Sequence, residues 1–569
     1  MRCGPALAAC LAASAALAQA EPTAAELRAA AAISASDLRA HIRFLSSDLL
    51  EGRGPGTRGD QLAQAYIAAQ FELLGLEPLG EDGAYLQHFP LTGITGNPET
   101  MRLESARGSL TLRYREDFIA VAGAQRKESA VHEAEIVFVG FGIQAPEFGW
   151  DDYKGADLSG KVLLMLNSDP DDDPSRFAGK TRLRYGRWDY KYEVAAKQRA
   201  AGAIIVHTTP SAGYPWQVVQ SSWSGTQYEI PSGEGHRMEI KAWTTEDATR
   251  RLVALGGLDL DALVARAKSR EFKPVPLGVR LSTAFTNRLT QVKTANVLGL
   301  WRGSDRQARE EIVVYTAHHD HLGRKEGAVK GEDDIYNGAV DNASGVASML
   351  AVARAMVRLE PRPRRSILFA AVGAEEQGLL GSEYLATHPP KPAGYFAADI
   401  NIDGINFRGR TRDATMIGLG KSTLDSIVLP LARAQGRTVK PDQMPDRGFF
   451  YRSDQFSFAR IGVPAVYLGS GLDYIGRPPG WGKEQRERWE AERYHQPSDE
   501  FDPNWDLSGA VEDARLYLWI GSKIANAARM PRWRHGDEFE QIRKRALEAR
   551  AATRSKQGEI GRAPDSALR

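Results

Sequence analysis

The chain has 569 residues, too many for one hydrophobic core, so two domains plus appendages are expected. Hydrophobic residues make up 42% and charged residues 25%, as in an ordinary soluble globular protein. Lys plus Arg total 73 against 72 Asp plus Glu; the net charge of +1 gives no electrostatic case for nucleic acid or an anionic membrane.

Met1 to Ala20 reads as a secretory signal peptide. Arg2 supplies the charge, Leu7 to Leu17 the apolar run, and Ala18-Gln19-Ala20 an A-x-A cleavage site. A mature start near Glu21 and a secreted or periplasmic location follow as expectations. Cys3 and Cys10 both fall in this segment, leaving the mature chain without a thiol for a disulfide, a CxxC zinc site or a nucleophile. Lipid anchoring at Cys10, suggested by Leu7-Ala8-Ala9-Cys10, is disfavoured because it would leave a very short apolar region. No later run of 18 apolar residues predicts a membrane span.

Residues 36 to 76 predict two amphipathic helices, one carrying Leu38, Ile42 and Leu45 and the next Leu62, Tyr66, Ala69 and Leu73. The glycine-rich turn Glu51 to Thr57 separates them. From Ala134 to Phe285 the texture changes to short strands (Ile136-Val139, Val162-Leu166, Ile204-Val206), aromatic-rich loops and a helix near Tyr192 to Ala201. This predicts a smaller α/β unit inserted into a larger domain. The acidic loop Asp169 to Asp173 reads as solvated. The larger domain, residues 21–133 and 286–530, then alternates apolar strands with helices: Ala295-Leu300, Ile312-Ala317, a helix after Gly345, Ile367-Val372, Ala397-Asp403 and Val463-Leu468. That order predicts a mainly parallel, doubly wound α/β sheet with helices on both faces. Residues 531–569 read as a charged tail.

Chemistry collects at the strand ends, where open α/β sheets place their ligands. The strand at Ile312 runs into His318-His319-Asp320-His321, and Asp341-Asn342-Ala343-Ser344-Gly345 opens the following helix. The strand at Ile367 runs into Glu375-Glu376, the next ends at Asp403, and His495 lies beyond the Val463-Leu468 strand. Imidazole and carboxylate ligands without thiolate favour zinc or a similar first-row divalent ion. Two His and three carboxylates exceed the needs of one tetrahedral ion, whereas a carboxylate-bridged pair uses them all.

The ordered series HxD, DNASG, EEQGLLGS, NIDG and YHxPSD resembles the M28 family of co-catalytic zinc peptidases, mostly aminopeptidases. The phrases GKVLLML and AAKQRAAGAIIVH resemble a protease-associated (PA) domain, which would be the 134–285 insert. The M28 resemblance implies two Zn2+ ions and assigns roles. His318, Asp341, Glu376, Asp403 and His495 would be metal ligands, with Asp341 the bridge. Glu375 would be the general base, and Asp320 the carboxylate that orients His318. His319 and His321 are alternative imidazoles, but only His318 stands two residues before Asp320.

The implied activity is a metallo-exopeptidase acting on peptides or small proteins, most simply an aminopeptidase. A carboxypeptidase remains open, with Arg447, Arg452 and Arg477 as cations for a substrate carboxylate, and so does a non-catalytic binding protein on the same fold. No GxSxG or HExxH motif supports a serine hydrolase or a one-zinc protease. The Gly469 to Tyr494 segment is expected to wall the substrate pocket. All five proposed ligands lie outside 134–285, so the insert is expected to be separable from the metal site.

Overall fold

A computed structural model describes residues 21–171, 173, 176–231, 238–325 and 327–560, with side chains to residue 553. The signal-peptide reading, with both cysteines, lies outside the described residues. No helix among the described residues is long and apolar enough to cross a membrane.

The main sheet contains β1 (Leu86–Gly96), β2 (Val275–Trp301), β3 (Ile312–His318), β4 (Ser366–Val372), β5 (Phe396–Asn401), β6 (Asp413–Ile417), β7 (Thr438–Pro441) and β8 (Ala465–Ser470). Its spatial order is β1-β2-β4-β3-β5-β8-β6-β7. The central four strands, β4-β3-β5-β8, are parallel, and antiparallel pairings flank them on both sides. β3, β4 and β5 are buried at every residue, which is why they read as unbroken apolar runs instead of alternating ones. Helices Ala35–Leu45, Arg58–Leu73, Ser344–Met356 and Ser508–Asn526 share the largest core on one face. Leu385 and Phe458, from helices Leu380–Thr387 and Gln455–Arg460, help close the other. The fold is the doubly wound α/β arrangement expected.

Parallel pairing puts the carboxyl ends of the central strands at one rim. His318 is level with Val372, so the Glu375-Glu376 turn leaves β4 beside the end of β3. Thr316 is level with Asn401, which brings Asp403 to the same rim from the other side.

A second sheet holds a second core. It runs Gly108–Arg113, Thr100–Ser105, the first half of β2, Glu128–Phe138, Val162–Leu166, Gly202–His207, Ile240–Thr245 and Phe118–Ala122. This core starts before Ala134, because Met101, Leu103, Leu112 and Phe118 are all fully buried in it. Its far boundary is not a linker but β2 itself. Leu277, Val279 and Leu281 alternate with exposed residues in the second sheet, and the strand then continues into the fully buried stretch Thr294–Leu300 of the first. The change from period-two burial to continuous burial marks the passage from a one-sided to a two-sided sheet.

The chain beyond residue 530 is anchored before its last helix, Glu540–Ile560. Trp533 and Phe539 pack with Phe450, Tyr451 and Phe456, and the Trp533 indole donates to Gly462 O at 2.9 Å. Charge-rich composition concealed these two aromatic anchors.

Helix Ser508–Asn526 packs so closely on β3 that a Cβ at Gly521 would lie 1.8 Å from Tyr315 Oη, whose hydroxyl donates to Tyr517 O at 2.8 Å. Gly521→Ala therefore forces either the helix or the tyrosine to move. We expect a loss of ~1–3 kcal/mol of stability, the usual cost of overpacking, in a denaturant titration; an unchanged midpoint would show that the contact yields freely.

Candidate metal centre

At the rim the predicted ligands converge. His318 Nε2 lies 3.2 Å from Asp341 Oδ1 and 3.6 Å from Asp403 Oδ1. His495 Nε2 lies 3.3 Å from Asp341 Oδ2 and 3.0 Å from Glu376 Oε2. The two oxygens of Asp341 thus face two different groups: His318 with Asp403, and His495 with Glu376. Glu375 Oε2 stands further off, 3.9 Å from His318 Nε2. All five ligand positions named from the sequence are brought together, with Glu375 beside them.

These spacings suit cations. Ligand atoms around a small tetrahedral ion with bonds of about 2.0–2.2 Å stand about 3.3–3.6 Å apart. His318 Nε2 and His495 Nε2 are buried and have no hydrogen-bond partner, although each points at carboxylate oxygens. A buried ring nitrogen without a partner is costly, and a metal ion satisfies it.

The supporting contacts are specific. Asp320 Oδ1 accepts the Glu375 N–H at 3.0 Å and Oδ2 the Glu376 N–H at 3.3 Å, so this carboxylate fixes the turn bearing both glutamates. It also lies 3.7 Å from His318 Nδ1. Asp499, the last residue of YHQPSD, accepts the backbone N–H groups of Val340 and Asp341 and so sets the bridging position. Ser453 Oγ donates to Asp403 Oδ2 at 2.7 Å. His319 turns away from the cluster, its Nε2 3.1 Å from Asp60 Oδ1. His321 acts one layer out: its Nδ1 is 2.5 Å from Glu376 Oε1.

Arg53 holds the loops behind the cluster. Its buried guanidinium donates to Leu45 O, His319 O, Asn337 O and Gly338 O at 2.5–3.0 Å. Gly52 precedes it at φ +69°, where a Cβ would meet Gly323 O at 2.2 Å. The turn is glycine-rich because backbone passes backbone there.

The electrostatics point the same way. Asp320, Asp341, Glu375, Glu376, Asp403 and Asp499 crowd a space whose fixed cation is Arg53. Burial lowers the guanidinium's pKa to about 10, with Asp320 and Asp341 opposing. Burial also favours neutral imidazoles, but Glu376 and Asp341 outweigh it and raise His495 to about 9. His318 is likewise raised against burial, by Glu375, Asp341 and Asp403. Burial pushes the Glu375 carboxyl well above the usual range; Glu376 adds to this and His318 opposes it. Buried carboxylates in this number draw positive charge.

The centre opens into a cavity of about 700 Å3. Gly469, Leu472, Tyr474, Trp489 and Tyr494 line it, as expected of the Gly469–Tyr494 segment. Trp188, Tyr192, Tyr214 and Trp223 line it too, and they come from the second lobe. Ser222, at the end of helix Trp216–Ser222 in that lobe, places Oγ 2.7 Å from His495 Nδ1. The expectation that the insert is separable from the metal site is therefore corrected: it supplies a partner to a candidate ligand and a wall of the cavity. The contact escaped sequence reading because Ser222 and His495 lie 273 residues apart. Of the three arginines considered for a substrate carboxylate, only Arg452 lines the cavity; Arg447 pairs with Glu490, and Arg477 is exposed and stacks on Trp481.

Residues 296–519 match peptidase family M28. The mouse aminopeptidase NAALADL1 is 32% identical over 175 residues, 28% of this chain and 22% of that protein. A probable zinc metalloprotease of Leptosphaeria maculans is 40% identical over 95 residues, 17% of this chain and 20% of that protein. The chain thus spans about a fifth of the length of these curated relatives. Among solved structures, an aminopeptidase from Aneurinibacillus sp. strain AM-1 shares the fold at a TM-score of 0.50 and 20% identity, covering 89% of this chain and 96% of that one. The segment that matches the family model runs from within β2 to helix Ser508–Asn526 and contains every strand end that carries a candidate ligand.

Proposed function

We propose that this protein is a two-zinc exopeptidase that removes residues from the free N-terminus of peptides. The observation that carries the reading is the divided Asp341 carboxylate, one oxygen toward His318 and Asp403 and the other toward His495 and Glu376. The aminopeptidase and zinc metalloprotease names of the relatives support it. Export rests on the pattern of residues 1–20 alone, and a PA-type role for the second lobe on its two sequence phrases.

His318 and Asp403 would hold one ion, His495 and Glu376 the other, and Asp341 both. When bound, the ions supply an acidified water and positive charge for the scissile carbonyl oxygen. Glu375 does the proton work. Its N–H is tied to Asp320, its carboxylate is left facing the cavity, and burial raises its affinity for a proton. It takes the proton of the attacking water and delivers it to the leaving amine. Ser222, Asp320 and Asp499 position ligands or the base.

Two measurements test this. Glu375→Gln is expected to keep both zinc ions per chain and lose about 10²–10⁴-fold in turnover. Glu376→Ala is expected to lose zinc, with partial recovery of rate in excess metal. The opposite pattern of metal loss, or near-normal turnover of Glu375→Gln, overturns the assignment. Hydrolysis of amino-blocked dipeptides but not of aminoacyl anilides would replace the aminopeptidase by a carboxypeptidase.

The three neighbouring imidazoles should also separate. His318→Ala is expected to lower zinc content. His319→Ala should retain zinc but lose ~1–3 kcal/mol, because Asp60, fully buried, loses a partner. Elemental analysis together with thermal unfolding distinguishes them.

A further inference from the structure

The segment that matches the family model ends at residue 519, yet the chain beyond it returns to the cavity. Trp533 bridges to Ser422 in the turn after β6. There Thr423 N donates to Arg532 O, and Arg534 N to Lys421 O, each at 2.8 Å. The Lys421 ammonium meets Asp537 at 2.8 Å and Glu538 at 3.1 Å, and Arg534 donates to Asp425 at 3.1 Å. A stretch whose composition reads as a charged tail is thus fixed at several points.

What it holds is one wall of the cavity. Tyr451 and Phe456 line the cavity, and Phe450 stands next to Tyr451 in the same loop. Phe539 packs on Phe450 with ring centroids 6.0 Å apart and on Phe456 at 6.4 Å; Trp533 packs on Phe450 at 6.4 Å. Phe450 also presses on Gly418, where a Cβ would lie 2.9 Å from its ring. The Tyr451 hydroxyl donates to Glu538 Oε1 at 2.7 Å. Tyr451 is buried, whereas the Glu538 side chain is 41% exposed, so replacing the glutamate leaves no void in the core.

The same loop reaches the metal centre. Ser453, two residues after Tyr451, donates to the candidate ligand Asp403. From the second lobe, Arg182 N donates to Pro445 O at 2.9 Å, and the Arg184 guanidinium lies over Phe456 at 5.8 Å. Residues 445–456 are therefore held by the second lobe and by the C-terminal segment together. Ring contacts set how closely an aromatic side chain packs, and a hydrogen bond from a tyrosine hydroxyl adds a fixed direction. A wall held in this way can discriminate between side chains, because a rigid apolar pocket separates substrates differing by one methylene by roughly 10–200-fold.

Building on the exopeptidase reading, we propose that Glu538 is a positioning residue for the substrate pocket. Through the Tyr451 hydroxyl it fixes the aromatic wall, so that the segment after residue 530 sets which substrate side chains are accepted.

The test uses the zinc-loaded full chain with alanyl- and phenylalanyl-p-nitroanilide, and the readout is the ratio of their kcat/KM values. The wild type is expected to discriminate between them. Glu538→Ala and Tyr451→Phe should each move the ratio toward one by at least about threefold, with zinc content unchanged. Both remove the same bond, so the double variant should move it no further. Glu538→Gln keeps an acceptor for the hydroxyl and should retain most of the discrimination. Should Glu538→Ala not fold, Tyr451→Phe, which removes a single oxygen, decides alone. Parity in the wild type, an unchanged ratio in the variants or additive effects in the double variant overturns the proposal. So does an equal fall of both substrates, the signature of a general loosening. Should the wild type cleave neither anilide, the exopeptidase reading falls and the wall is judged by binding. Phenylalanine amide and alanine amide, titrated against the fluorescence of the cavity tryptophans, should then show the same change of affinity ratio in the same variants; absence of binding or an unchanged ratio overturns it.

Discussion

Arg53 is the constraint on which the rest of the site depends. One guanidinium satisfies carbonyls from the end of the first long helix, from the HHDH segment and from the loop before Asp341. Those three pieces carry or back the ligands, and of their four carbonyl-bearing residues His319 alone also donates its N–H to the end of β4, at Val372 O. A buried arginine unpaired with a carboxylate would ordinarily be a liability. Here its four carbonyl acceptors and the negative field of Asp320 and Asp341 keep it charged, and that charge partly offsets the acidic cluster. Scaffold and electrostatics are therefore one device.

A hierarchy of carboxylates builds on it. Asp320 and Asp499 spend their oxygens on backbone N–H groups, which leaves them poor ligands and good struts. Asp341 and Glu376 face imidazoles. Glu375 has its backbone tied but its carboxyl group left free. Adjacent glutamates with the same chemistry are thereby given different environments: His495 and His321 hold Glu376 at about 2 against burial and Asp341, while burial raises Glu375.

How much of this was legible follows from the range of the interactions. The parallel strands and the residues at their ends were readable because continuous apolar runs and local motifs encode them. Asp320 could be assigned because it stands two residues from His318. Arg53 and Ser222 could not be, since their partners lie up to 285 and 273 residues away and nothing in a glycine-rich turn or a short helix announces them. His321 was read as a spare ligand, and its place behind Glu376 depends on where β4 sets that turn. The second lobe began too late in the reading because Thr100–Ser105 and Gly108–Arg113 are short and one-sided, with polar residues between the buried ones.

The long strand β2 explains why the two lobes can share a cavity. A flexible linker would leave the second lobe free to sample many positions, and closing it over the rim would cost conformational entropy. β2 instead belongs to both sheets, and its first half is already paired when its second half enters the main sheet. The strand Thr226–Glu229, from the same lobe, adds to β1 and fixes a second point of attachment. With two attachments, Ser222 can be held against His495 without a separate closing step. The ordering that brings the second lobe's serine to the candidate ligand is thus already met by the sheets.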